Sequence, residues 1–96
     1  MNIHFMKNGN DLFVAPEGRL DTVAAPELES FFNSHYEDDG VVVLDCEKLT
    51  YVSSAGLRVL LGAQKKTKGA MKLIHVNEPV MEVLEMTGFA DILNVE

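Results

Sequence analysis

Val41-Val42-Val43-Leu44 holds four consecutive apolar residues, three of them β-branched. A strand covered on both faces accounts for such a run better than a half-exposed strand, whose residues would alternate, so this strand is expected to be central and parallel. The flanking segments supply what a central strand needs. Upstream, Ile3 to Met6 and Leu12 to Ala15 are short apolar stretches joined across Asn8-Gly9. That dipeptide suits a type I′ turn and predicts a β-hairpin. Gly18 breaks the pattern, and Asp21 or Thr22 can cap a helix that runs to about Tyr36. Its apolar positions are Ala24, Leu28, Phe31 and Phe32, and Pro26 lies in its opening turn. Asp38-Asp39-Gly40 then leads into the strand. Downstream, Leu57, Leu60 and Leu61 return to helical spacing from Ala55 to about Lys68, with Lys65, Lys66 and Lys68 near the end and Gly69 as the stop. Met71 to Val76 forms another strand. Asn77 caps a helix with Pro79 in its first turn, Val80, Val83 and Leu84 on one face and Gly88 at its end. Ile92 to Val95 adds a final short strand. The order β-β-α-β-α-β-α-(β) specifies an α/β domain, a mixed sheet of four to five strands with helices packed on it.

The 96 residues make one domain, residues 1–96, with no repeat, low-complexity tract or linker. No apolar run reaches the ~20 residues of a membrane span, and no signal sequence opens the chain. A single cysteine, Cys46, allows no internal disulfide and fits a reducing, cytoplasmic setting. Fifteen acidic against eight basic side chains give a net charge of −7, which argues against binding nucleic acid or anionic membranes. The surplus serves solubility and also suits a basic protein partner.

Few residues offer chemistry. His4 and His75 fall in predicted strands and His35 near a helix end, none with a partner. A serine hydrolase would also need a Gly-x-Ser-x-Gly elbow, which is missing. No pair of ligands has metal-site spacing. Gly56 and Gly62 lack the lysine and spacing of a phosphate-binding loop. Cys46 reads as a small apolar residue at the end of a buried strand, and Met71, Met81 and Met86 as core or edge filling. What stands out is Tyr51-Val52-Ser53-Ser54-Ala55-Gly56-Leu57. Leu49 to Val52 leads as a loop to two serines at a helix start. A hydroxyl there caps the free amides, and the same amides with the dipole would hold a phosphate of roughly −1.5 to −2 charge.

Gly18-Arg19-Leu20-Asp21, Ala25-Pro26-Glu27-Leu28, Val42-Val43-Leu44-Asp45, Tyr51-Val52-Ser53-Ser54-Ala55-Gly56-Leu57, Val59-Leu60-Leu61-Gly62 and Met86-Thr87-Gly88-Phe89 resemble, in order and spacing, the STAS domain of anti-sigma factor antagonists. The resemblance runs from about Asp11 to Val95. It implies a mixed sheet flanked by helices, no cofactor, and a switch rather than an enzyme. In that family the unphosphorylated form binds an anti-sigma factor that is also a serine kinase with a histidine-kinase-like ATPase domain, and so frees a sigma factor. Phosphorylation dissociates the complex, and a serine phosphatase resets it. Aligned on Gly56-Leu57, the acceptor is Ser54, with Ala55 in place of a second hydroxyl. Ser53 stands where the family has aspartate, and so becomes a second candidate acceptor. Asp21 matches an acidic residue on the neighbouring loop. Partner contacts are then expected from Asp21, Thr22, Ser53, Ser54, Gly56 and Arg58. Many relatives continue beyond the position of Glu96 into a further helix, so that flank is expected to be open or covered by a partner. Two further readings keep the fold: a STAS subunit of a lipid-transport ABC complex, which usually carries threonine at the acceptor position, and a partner-switch regulator of a target other than a sigma factor.

Overall fold

The computed structural model describes residues 1–96. Its elements are β1 (Asn2–Asn8), β2 (Asp11–Leu20), α1 (Ala25–His35), β3 (Val42–Asp45), β4 (Leu49–Val52), α2 (Ser54–Lys66), β5 (Met71–Ile74), α3 (Glu78–Thr87), a 3₁₀ turn over Phe89–Asp91, and β6 (Asn94–Val95). The sheet has six strands in the order β1-β2-β3-β5-β6, with β4 paired to β2. β1 and β2 are antiparallel, and every other pairing is parallel. The mixed α/β architecture expected from the sequence is the one observed, with one strand more than expected.

The extra strand is β4, whose residues were expected to form a connecting loop. Four residues with a polar Thr50 and no alternation carry too little local signal. What makes them a strand is β2, which is long enough to serve two neighbours. Leu12, Phe13 and Val14 pair with Val42, Val43 and Leu44, and Gly18, Arg19 and Leu20 then pair with β4. The register shifts between Gly18 and Arg19, where Gly18 adopts φ +105°. Gly18 therefore does not end the strand, as expected, but turns it from one neighbour to the next.

The first turn also differs. Asn8 pairs with Asp11, so Gly9-Asn10 is the two-residue loop, and only Gly9 has a positive φ (62°). That is the pattern of a type II′ turn rather than the I′ turn expected at Asn8-Gly9. At the other end of the sheet β5 stops at Ile74, and His75 lies beyond it with φ 55°.

β3 is central and parallel, between β2 and β5, but it is covered on one face only. Val42 and Leu44 are wholly buried, Val43 is half-buried and Val41 exposed. The same alternation runs through Leu12 and Val14 of β2 and Met71 and Leu73 of β5. These side chains join Leu28 and Phe32 of α1, Leu57 and Leu60 of α2, and Val80 and Leu84 of α3 in a single core of 21 residues. The three helices thus pack on one side of the sheet. Met6, Phe13 and Val43 line a shallow apolar depression on the other. Of the methionines, Met71 is core, whereas Met86 is exposed rather than filling an edge.

Cap chemistry sets the helix ends. Asn77 accepts from the Val80 amide at 3.1 Å, and Gly88 closes α3 at φ 80°. Pro26 lies in the first turn of α1, as expected, but Ala24 occupies the cap position without a side-chain bond. Asp21, not Thr22, organises the turn before it.

Candidate functional site

Two backbone elements converge on the Ser53-Ser54 step. The end of β2 brings Leu20, whose carbonyl accepts the Ser53 amide at 2.9 Å. β4 delivers the chain to Ser53 in an extended conformation, and α2 starts at the next residue. Gly56 explains how close the helix can come. A Cβ there would lie 2.7 Å from Leu20 Cγ and 2.8 Å from its carbonyl oxygen. Gly56, expected among the contact residues, is buried. It acts by letting α2 seat against Leu20.

The two hydroxyls have different surroundings. Ser53 is half-buried, and its Oγ accepts the Gly56 amide at 3.2 Å, so it is the N-cap of α2. Ser54 is the first helical residue and is exposed. The amides of Ser54 and Ala55 have no intrahelical partner, as in any first turn. Arg58 is exposed four residues on, which places it on the same helix face as Ser54.

The neighbouring loop begins immediately after Leu20. Asp21 Oδ1 accepts the Ala24 amide at 2.9 Å and the Val23 amide at 3.1 Å. These bonds, the Ala24 amide foremost, hold the Asp21 carboxyl below the usual carboxylate range, with the Arg19 charge adding to them. Asp21 is therefore an anion with one oxygen committed to the turn. Thr22 is exposed beside it. The structure thus gathers Asp21, Thr22, Ser53 and Ser54 at one end of the β2–β4 pair, with Arg58 along the helix.

Two features here escaped the sequence reading. Val23, at the tip of the Asp21 turn, is 78% exposed, an apolar side chain held outward. Its signal was an isolated valine after two polar turn residues. Arg19 lies over the Tyr51 ring at 4.3 Å, a cation–π contact between paired residues of β2 and β4. It needed β4 to be known as a strand.

The histidines lie elsewhere. His35 Nδ1 is 3.0 Å from the Phe31 carbonyl, its ring stacked on Phe31, and His4 is 3.7 Å from Glu17. His75 faces Asp45 at 3.0 Å. Cys46 is fully buried, and burial, with Asp45 adding, pushes its thiol up to about 12. It is a neutral core residue at neutral pH. No helix is long and apolar enough to cross a membrane.

A six-stranded mixed sheet with helices on one face, and an exposed serine opening the helix after β4, define a compact α/β domain. The STAS domain model matches residues 2–96, and the chain belongs to the STAS domain family. Its relatives place it, more particularly, with the anti-sigma factor antagonists. The anti-sigma-B factor antagonist of Bacillus subtilis (strain 168) is 28% identical over 98 residues, which span 99% of this chain and 90% of the relative. An anti-sigma factor antagonist from Mycobacterium paratuberculosis superposes with a TM-score of 0.84 at 18% identity, over 98% of this chain and 83% of that one. SpoIIAA in its unphosphorylated form gives 0.78 at 13% identity, over 99% and 88% of the two chains. The phosphorylated Bacillus SpoIIAA gives 0.69 at 14%, over 99% and 91%.

Proposed function

We propose that this chain is a partner-switching antagonist of an anti-sigma factor, with Ser54 as its phosphorylation site. In this reading the unmodified protein binds an anti-sigma factor that is also a serine kinase with a histidine-kinase-like ATPase domain. The Asp21-Thr22 turn, Ser53, Ser54 and the Arg58 face of α2 form the contact, and Gly56 holds it in shape. A phosphate on Ser54 ends the complex, and a serine phosphatase restores it.

One observation carries the proposal: capping and exposure are divided between adjacent hydroxyls. Because Ser53 holds the cap, the Ser54 hydroxyl reaches solvent and a kinase without loosening the helix. A phosphate there would face two free amides, the positive end of the dipole and Arg58 one turn on, while Asp21 opposes it. The modified helix would stay folded, and the cost would fall on the complex. Desolvating a doubly charged group in an interface fitted to a hydroxyl costs several kcal/mol, and about 4 kcal/mol is a thousandfold in affinity. The relatives' names support the class, and a SpoIIAA neighbour in a phosphorylated form supports the modification.

The test is phosphopeptide mapping after incubation with ATP and a histidine-kinase-like ATPase encoded in the same genome. Label is expected on Ser54 and absent from Ser54→Ala. Phosphate on Ser53 alone, or a Ser54→Asp variant that binds the kinase as tightly as the unmodified protein, would sink the proposal.

A further inference from the structure

The most concentrated set of ligating groups outside the serine site is Asp45, Glu47 and His75. One donor atom from each, two carboxylate oxygens and an imidazole nitrogen, lies within 4.8 Å of the others. Asp45 is the last residue of β3, and His75 follows β5 directly. The two strands are adjacent and parallel, and Asp45 pairs with Ile74. The carboxyl ends of neighbouring parallel strands are where open α/β sheets gather their ligands. Here they bring together residues 30 positions apart in the chain.

We propose that Asp45, Glu47 and His75 form a binding site for one divalent transition-metal ion of the zinc type. The arrangement is partly organised in advance. Asp45 Oδ1 accepts the Glu47 amide at 3.0 Å, which fixes the carboxylate and folds Glu47 back beside it. Its second oxygen is free to coordinate. His75 Nδ1 stands 3.0 Å from the same Oδ1. At that distance Nδ1–H donates to Oδ1; on binding, this hydrogen bond is given up, the ring proton moves through water to Nε2, and the Nδ1 lone pair goes to the metal. Oxygen donors at ~2.0–2.2 Å and nitrogen at ~2.0–2.1 Å sit about 3–4 Å apart around one zinc, so small side-chain rotations close the set. Two carboxylates against one neutral imidazole give a formal charge of −2, matched to a divalent ion. The imidazole selects zinc-like metals over calcium or magnesium, which favour all-oxygen sites. With His75 60% exposed, water completes the coordination. Such a metal would join the β3–β4 connection to the segment leading into α3, at the end of the sheet from which β4 runs to Ser53.

Zinc titration by calorimetry on metal-stripped protein tests the site, with His75→Gly and Glu47→Gln as variants. Glycine suits the left-handed backbone at His75 (φ 55°), so loss of binding cannot be ascribed to misfolding, and melting in EDTA confirms that each variant folds. One zinc per chain is expected, with affinity reduced by roughly tenfold or more in His75→Gly and by less in Glu47→Gln. His4→Ala and His35→Ala should bind as the parent does. The site is overturned if zinc up to about 1 mM does not bind, if His75→Gly binds as tightly as the parent, or if removing His4 or His35 abolishes binding.

Discussion

Ser53 and Ser54 are chemically identical and adjacent, yet only one of them holds the helix. Removing a serine N-cap costs about 1 kcal/mol. Ser53→Ala should therefore lower thermal stability by a few degrees in a chain of this size while leaving the Ser54 hydroxyl in place. Ser54→Ala should leave the melting temperature within a degree or so of the parent, because Ser54 is exposed and the cap bond belongs to Ser53. Parallel melting curves check both, and equal losses in the two variants would contradict the division of labour. The same distinction shows the limit of sequence reasoning at this scale. The pair Ser53-Ser54 was legible as a helix start, and the alignment on Gly56-Leu57 chose Ser54. That Ser53 takes the cap depends on the Leu20 carbonyl fixing its backbone, a contact 33 residues away in sequence.

Among the elements, β3 is the clearest case of a sequence read correctly in part. Its central, parallel placement follows from the apolar run, but its second face is bare because all three helices pack on the first. The energetics should follow the structure. Val42→Thr puts a hydroxyl into the core at a wholly buried position, at a cost of about 1–3 kcal/mol or more. Val43→Thr, on the open face, should cost well under 1 kcal/mol. Urea unfolding of the two variants measures the contrast, and comparable losses would mean that the second face is covered after all. β4 was not legible because long-range pairing with β2 creates it. α3, by contrast, was readable almost to the residue, since cap, proline and terminal glycine are local signals. Asn77 also donates from Nδ2 to the Leu49 carbonyl at 2.6 Å and so ties α3 to β4. Asn77→Ala loses the cap and that tie together. A cost above the ~1 kcal/mol of an ordinary cap is expected, read from the same urea curves.

For the molecule as a whole, Asp21 contributes to the acid side of the stability profile, and Cys46 with Tyr36 to the alkaline side. Asp21 is held below its ordinary carboxylate value. It adds stability that is present above the unfolded value of 3.8 and disappears as pH falls through the lower folded value. Cys46 is pushed the other way. Its thiol ionises in the unfolded chain near 9.0 but only at about 12 when folded. Stability is full below pH 9 and falls as pH rises beyond it, because the unfolded state then gains a thiolate that the core refuses. Melting temperatures from pH 8 to 11 should fall in the parent and fall less steeply in Cys46→Ala, the remaining slope above pH 10 following Tyr36, whose hydroxyl is also pushed up by burial and by Asp38 and Asp39; parallel slopes in the two proteins would refute the Cys46 contribution. A last consequence concerns the order of events as the chain folds. β2 pairs with β1, β3 and β4, so half of the sheet's strands wait for it to be in place. The hairpin with β1 is quick to close, whereas the parallel pairings bridge long loops and set the pace. Val14→Ala should consequently slow refolding, while Leu84→Ala on α3 mainly speeds unfolding, in chevron kinetics. Gly18, where β2 passes from one neighbour to the next, is then the point at which the β3 and β4 pairings have to be reconciled before the sheet can close.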